Sequence, residues 1–309
     1  MLVATFIALL SAFASAMYFV AISGIMKRSP EISSGLALAV GHLAAALLVF
    51  PLVYTSSVPW QLQLQLLGEN YFPLIVSGVL LVISRQLHYY AYARTDVANI
   101  TIFSALTPVY ALVTGFFMLG EVPTAFSLFG MSLICGSIYW LFLKRDNSLT
   151  TLQNLFQPIL AIGKSKPVLF AFLSTIPTAL VATFQKQLLF VMTPVVFTFW
   201  ILLITGLFAL VFHILVTPQA QMASQMRLLP LKFIVISAIF LPLTHWLFCL
   251  VMQEHQTAIS LVLQRTSIIF QILLAYGMLS ERDQIKRRIF VALFVMVGFA
   301  MIMVDGHSQ

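Results

Sequence analysis

Apolar runs of 20 or more residues recur along almost the whole 309-residue chain, and each is long enough to cross roughly 30 Å of hydrocarbon as a helix. Inside a bilayer every backbone N–H and C=O must be satisfied within the spanning structure, which for runs of this length leaves only helices. Composition agrees, with 61% hydrophobic residues and 8% charged, against roughly a quarter charged in a soluble domain. The expected fold is an all-α polytopic membrane protein with ten transmembrane helices, at about 2–25, 32–55, 71–92, 97–119, 123–143, 167–190, 194–216, 230–253, 256–279 and 285–304. The first run is read as a span and not a signal peptide, because it is long and has no basic n-region. One long polar, basic linker, 144–166, divides the chain near its middle, and no soluble catalytic domain is visible.

The formal net charge of +7 could point to nucleic acid, but its placement argues for none. Thirteen of the sixteen Lys and Arg residues fall at alternate connections: Lys27 and Arg28, then Arg94, then Lys144, Arg145, Lys164 and Lys166, then Arg227 and Lys232, then Arg282, Lys286, Arg287 and Arg288. This is the positive-inside asymmetry. It puts those five loops in the cytoplasm and, with ten spans, both termini outside. Cys135 and Cys249 lie inside expected spans and suggest neither a disulfide framework nor a metal site.

Internal repetition says more than any single motif. Segment 98–121, ANITIFSALTPVYALVTGFFMLGE, aligns without a gap on 258–281, AISLVLQRTSIIFQILLAYGMLSE, and both end in Leu, a small residue and Glu, at Glu121 and Glu281. The same offset sets Ser84 and Arg85 against Thr244 and His245, and a slightly different one sets Ser11 and Ser15 against Ser174 and Thr178. The chain therefore divides into five-helix repeats at 1–143 and 167–309. Five is odd, so the two halves must be inverted in the membrane, with a binding site expected near the midplane where they meet.

The five-plus-five repeat, ALTPVYALVTGFFMLGE in the first half and QRTSIIFQILLAYGMLSE in the second resemble the drug/metabolite transporter superfamily, and within it the ten-helix EamA-type permeases, over essentially the whole chain. The resemblance implies alternating-access transport of a small metabolite, through a cavity lined by spans 1, 3, 4, 6, 8 and 9. It also implies cytoplasmic termini, the reverse of what the charge asymmetry gives.

An ionisable group in hydrocarbon is a functional candidate by default. Arg85, Lys186 and Arg265 are the basic residues inside spans, whereas the acidic residues all fall at helix ends, in loops or at the C-terminus. Arginines with no central carboxylate want an anion. The spacing Arg85, His88, Tyr89, Tyr92 stacks a guanidinium, an imidazole and two phenols along one side of span 3, able to hold a carboxylate or phosphate through arginine's bidentate fork. The competing reading makes Arg85 a snorkelling residue, against which stand its depth in the span and its polar counterpart His245. Arg265, with Gln264 and Gln271 nearby, is a second anchor or a structural residue at a helix break. Lys186 with Gln185 is nearer a helix end and can snorkel. Ser15, Tyr18 and Thr178 form small polar stripes that either bind substrate or permit close packing. His245 and His88 are the candidate proton carriers, ahead of His42 and His213. Pro108 and Pro177 fall inside helices and mark kinks.

No phosphate-binding glycine loop, metal-ligand cluster or nucleophile elbow occurs, and the adjacent Glu254 and His255 read as a solvated turn, so no catalytic residue, metal or cofactor is expected. The function expected is secondary active transport of a small organic anion or zwitterion, amino-acid-like, across a cell inner membrane, with proton or counter-substrate coupling. The alternatives are exchange of a phosphorylated metabolite or nucleotide sugar, and flipping of a lipid-linked substrate.

Overall fold

Proline and polar residues decide where the apolar runs stop, start and break. The computed structural model describes residues 2–29, 31–122, 124–142, 163–281 and 285–305, and all regular structure in them is helical. Most of the expected linker, 144–162, lies outside the described residues, and so does Arg282. In chain order the helices are α1 Leu2–Arg28, α2 Ser34–Tyr54, α3 Trp60–Glu69, α4 Tyr71–Tyr92, α5 Val97–Ser104, α6 Thr107–Leu119, α7 Ala125–Phe142, α8 Lys166–Leu173, α9 Thr175–Leu188, α10 Pro194–Val216, α11 Gln219–Leu228, α12 Leu231–Glu254, α13 Thr257–Arg265, α14 Ser267–Met278 and α15 Ile285–Asp305.

Helical segments stand at all ten expected places, and among the described residues eight are both long and apolar enough to count as membrane spans. The fifth offers a shorter apolar stretch, Ala125–Trp140, and the tenth opens on Lys286, Arg287 and Arg288. Two further short helices, α3 and α11, occupy connections expected to be loops. Neither has a long apolar run to announce it; α3 docks through Trp60, whose ring lies 5.4 Å from that of Trp200.

Three spans are interrupted. A proline ring clashes with the carbonyl four residues back and supplies no N–H to it, so α5 ends at Ser104, four before Pro108, and α8 ends at Leu173, four before Pro177. The third break, at Thr266 between α13 and α14, has no proline. It falls at the repeat position of the first, Leu106.

Packing partners exchange consistently between the halves. Helix α1 lies on α12 as α9 lies on α4; α2 meets α12 as α10 meets α4; and α1 meets α14 as α9 meets α6. The repeat-related polar pairs sit at these contacts: Ser84 Oγ donates to the Ser174 carbonyl (3.1 Å) and Ser11 Oγ to the Thr244 carbonyl (3.2 Å). The two Leu-small-Glu ends behave alike. Glu121 accepts from the Thr257 N–H and hydroxyl, both at 3.1 Å, at the first turn of α13. Glu281 accepts from the Val97 N–H (3.1 Å) at the first turn of α5, and from Lys27 Nζ (2.7 Å). Each carboxylate thus sits on the positive end of a helix dipole from the other half.

Candidate functional site: an arginine-lined cavity at mid-bundle

The face of α4 that turns inward carries Leu81, Arg85, His88 and Tyr92, spaced i, i+4, i+7 and i+11, a single helical stripe. It lines a cavity of about 60 Å³ with Ser15 and Phe19 of α1, Ser104 at the end of α5, Thr178 and Gln185 of α9, Thr244 and His245 of α12, Gln264 and Arg265 at the end of α13, and Gln271 of α14. Spans 1, 3, 4, 6, 8 and 9 all contribute. Two of the helix breaks open onto it, which brings the cavity Ser104 at one and Gln264 with Arg265 at the other.

Ten of the thirteen residues singled out from the sequence meet here: Arg85, His88, Tyr92, His245, Gln264, Arg265, Gln271, Gln185, Ser15 and Thr178. Tyr18, Tyr89 and Lys186 do not, and helix geometry gives the reason. Adjacent residues are about 100° apart on a helix. Phe19 facing the cavity turns Tyr18 away, His88 turns Tyr89 away, and the two phenols hydrogen-bond to each other in the α1–α4 interface, both buried. Gln185 facing the cavity likewise turns Lys186 toward the C-terminal end of α12, where Nζ donates to the Met252 carbonyl and to that of His255 (3.0 Å). Phe19, Ser104 and Thr244 were missed as lining residues. Phe19 follows Ser15 by one turn on the same face, Ser104 stands four before Pro108, and Thr244 is the repeat partner of Ser84, so each carried a signal.

The lining divides by whether its hydrogen-bonding capacity is already used. Thr178 Oγ1 donates to the Ser174 carbonyl (2.7 Å) and lies 2.6 Å from Ser84 Oγ. His88 Nδ1 lies 3.1 Å from the Ser84 carbonyl, and its Nε2 3.3 Å from Ser174 Oγ. Gln271 Oε1 accepts from Thr101 (2.6 Å) and from the Tyr92 hydroxyl (3.4 Å). These groups form the wall. Its aromatic part is a cluster of three rings, with Tyr92 5.5 Å from Phe19 and 6.0 Å from His88, and Phe19 6.3 Å from His88.

Arg85 and Arg265 differ from all of these. Neither guanidinium makes a hydrogen bond or ion pair with any described residue, and Nε of each is buried without a partner, as are His245 Nε2 and Thr244 Oγ1. Arg85 lies over the Phe19 ring, 4.9 Å from its centroid, a cation–π contact. Among the described residues no aspartate or glutamate lines the cavity. Both guanidiniums are half-buried at mid-bundle, where charges interact far more strongly than in water. Their open donors suit an anion and repel a cation.

A helical membrane bundle with a small polar cavity between broken helices is an architecture that many membrane transporters share. Residues 2–143 match the model of the EamA-like transporter family. The resemblance read from the sequence is borne out over residues 2–143, less than half of the chain, which are similar to the EamA-like transporters of the drug/metabolite type. A solved structure titled "Crystal structure of protein" has a TM-score of 0.64 at 14% identity, covering 99% of this chain and 98% of that one, so the shared fold extends through the second half. No curated protein matches the sequence.

Proposed function

We propose that the protein is a secondary transporter of a small organic anion or zwitterion, amino-acid-like in size, working by alternating access in a cell inner membrane. Residues 1–143 and 167–309 act as inverted repeats joined by the linker 144–166. The observation that carries the reading is the pair of unpartnered guanidiniums, Arg85 and Arg265, one from each half, in one cavity with no carboxylate. A cavity of about 60 Å³ holds roughly two waters, so a metabolite enters only when the halves part on one side or the other. The partly used His88 and the unpartnered Nε2 of His245 leave His245 the better placed of the two for proton coupling. The same arginines favour a phosphate as readily as a carboxylate, which keeps exchange of a phosphorylated metabolite as the second reading.

A ligand that binds only the folded protein raises its stability in proportion to affinity and concentration. Thermal unfolding of the detergent-solubilised protein against carboxylates, amino acids, phosphate esters and organic cations tests the proposal. One anionic or zwitterionic class is expected to raise Tm, and Arg85→Ala and Arg265→Ala are each expected to weaken the effect at least tenfold in ligand concentration. Stabilisation by organic cations, unchanged in both variants, would contradict it.

A further inference from the structure

Resting on the anion reading above, we infer that the cavity is built for a substrate bearing two negative charges, a dicarboxylate or a phosphomonoester, in preference to a monocarboxylate or a zwitterion. The charge balance of the lining is the ground. It contains two guanidiniums and no acidic side chain, and neither guanidinium has a hydrogen-bonding or ionic partner among the described residues. A single negative charge would neutralise one arginine and leave the other buried and uncompensated, which is costly in a low-dielectric interior. Two negative charges compensate both.

The remaining lining argues against an ammonium group on the substrate. A buried ammonium is held best by a carboxylate or an open aromatic face, or by free backbone carbonyls such as those that hold Lys186 away from the cavity. No carboxylate lines the cavity among the described residues, one face of Phe19 is covered by the Arg85 guanidinium, and Phe19, His88 and Tyr92 pack against one another, with the Tyr92 hydroxyl turned to Gln271. Arg85 comes from α4 of the first half and Arg265 from the break in the α13–α14 span of the second. A dianion that spans the two therefore ties the halves together, whereas a monoanion held by one arginine does not.

The test is the half-effective concentration for thermal stabilisation, at constant ionic strength and pH 7.5, of propionate, alanine, succinate, glycerol 3-phosphate and tetraethylammonium. Succinate or glycerol 3-phosphate is expected to act at a concentration at least tenfold below propionate and alanine, and whichever succeeds identifies the carboxylate or the phosphate form of the substrate. Arg85→Gln and Arg265→Gln are each expected to raise the dianion's value at least tenfold and to remove its advantage over propionate. The charge-preserving Arg85→Lys and Arg265→Lys keep the dianion preference, and with the wild-type series they carry the test if a Gln variant fails to fold. Propionate or alanine as effective as both dianions would overturn this inference while the anion reading stands. Stabilisation by tetraethylammonium, or by no anion, would overturn both.

Discussion

Among single residues, Ser280 is a clear case of a local cost. The helices that end at Gly120 and Ser280 are repeat equivalents, and both positions are left-handed, with φ of 71° at Gly120 and 56° at Ser280. A side chain there costs about 1–2 kcal/mol, and nothing lies within 4 Å of a Cβ built on Gly120, so backbone strain is the whole difference. Ser280→Gly is expected to stabilise the protein by about 1 kcal/mol and Gly120→Ala to destabilise it by about the same, read as opposite shifts in thermal unfolding; equal or same-signed shifts would contradict this. Single residues are also where the sequence was most legible about the site. Arg85 and Arg265 stand out because charge inside an apolar run has few reasons to exist. Tyr18, Tyr89 and Lys186 misled because a stripe read from spacing fixes an angle only to within a face, and one residue's rotation moves a side chain from the cavity into a helix interface.

The helices themselves follow from the long apolar runs, and the places of their breaks from Pro108 and Pro177. The break at Thr266 was not legible from composition, since no proline marks it, although its repeat position was. Nor were α3 and α11, short helices with no long apolar run, of which α3 is docked through Trp60. The carboxylate caps are the contact between elements that makes the sharpest prediction. Glu121 satisfies the first turn of α13 alone, whereas Glu281 satisfies that of α5 and also holds Lys27. Removing the charge at a partly buried helix start costs about 1 kcal/mol, so Glu121→Gln is expected to lose about that and Glu281→Gln roughly twice as much. A double-mutant cycle of Glu281→Gln with Lys27→Met is expected to show coupling of about 1 kcal/mol. Additive effects would mean that the ion pair contributes nothing to stability.

For the whole molecule, the consistent exchange of packing partners explains why a site exists where it does. The first half contributes one broken span, α5–α6, and the second two, α8–α9 and α13–α14, and the cavity is lined at the repeat-related breaks of α5–α6 and α13–α14. The ends are less alike than the middle. One end is tied by Lys27 to Glu281 and by Arg288 to Asp96, whereas at the other Lys186 is held by backbone carbonyls of the α12 end. The repeat was readable from 98–121 and 258–281, but which residues the two halves bring face to face depends on the fold. The central claim is that anions cross through the arginine-lined cavity, and counterflow in proteoliposomes tests it most directly. Vesicles loaded with the anion that raises Tm are expected to take up labelled anion transiently with the wild type, and at least a hundredfold more slowly with Arg85→Ala reconstituted in equal amount. Uptake at the wild-type rate by folded Arg85→Ala, or uptake of cations alone, would contradict the account.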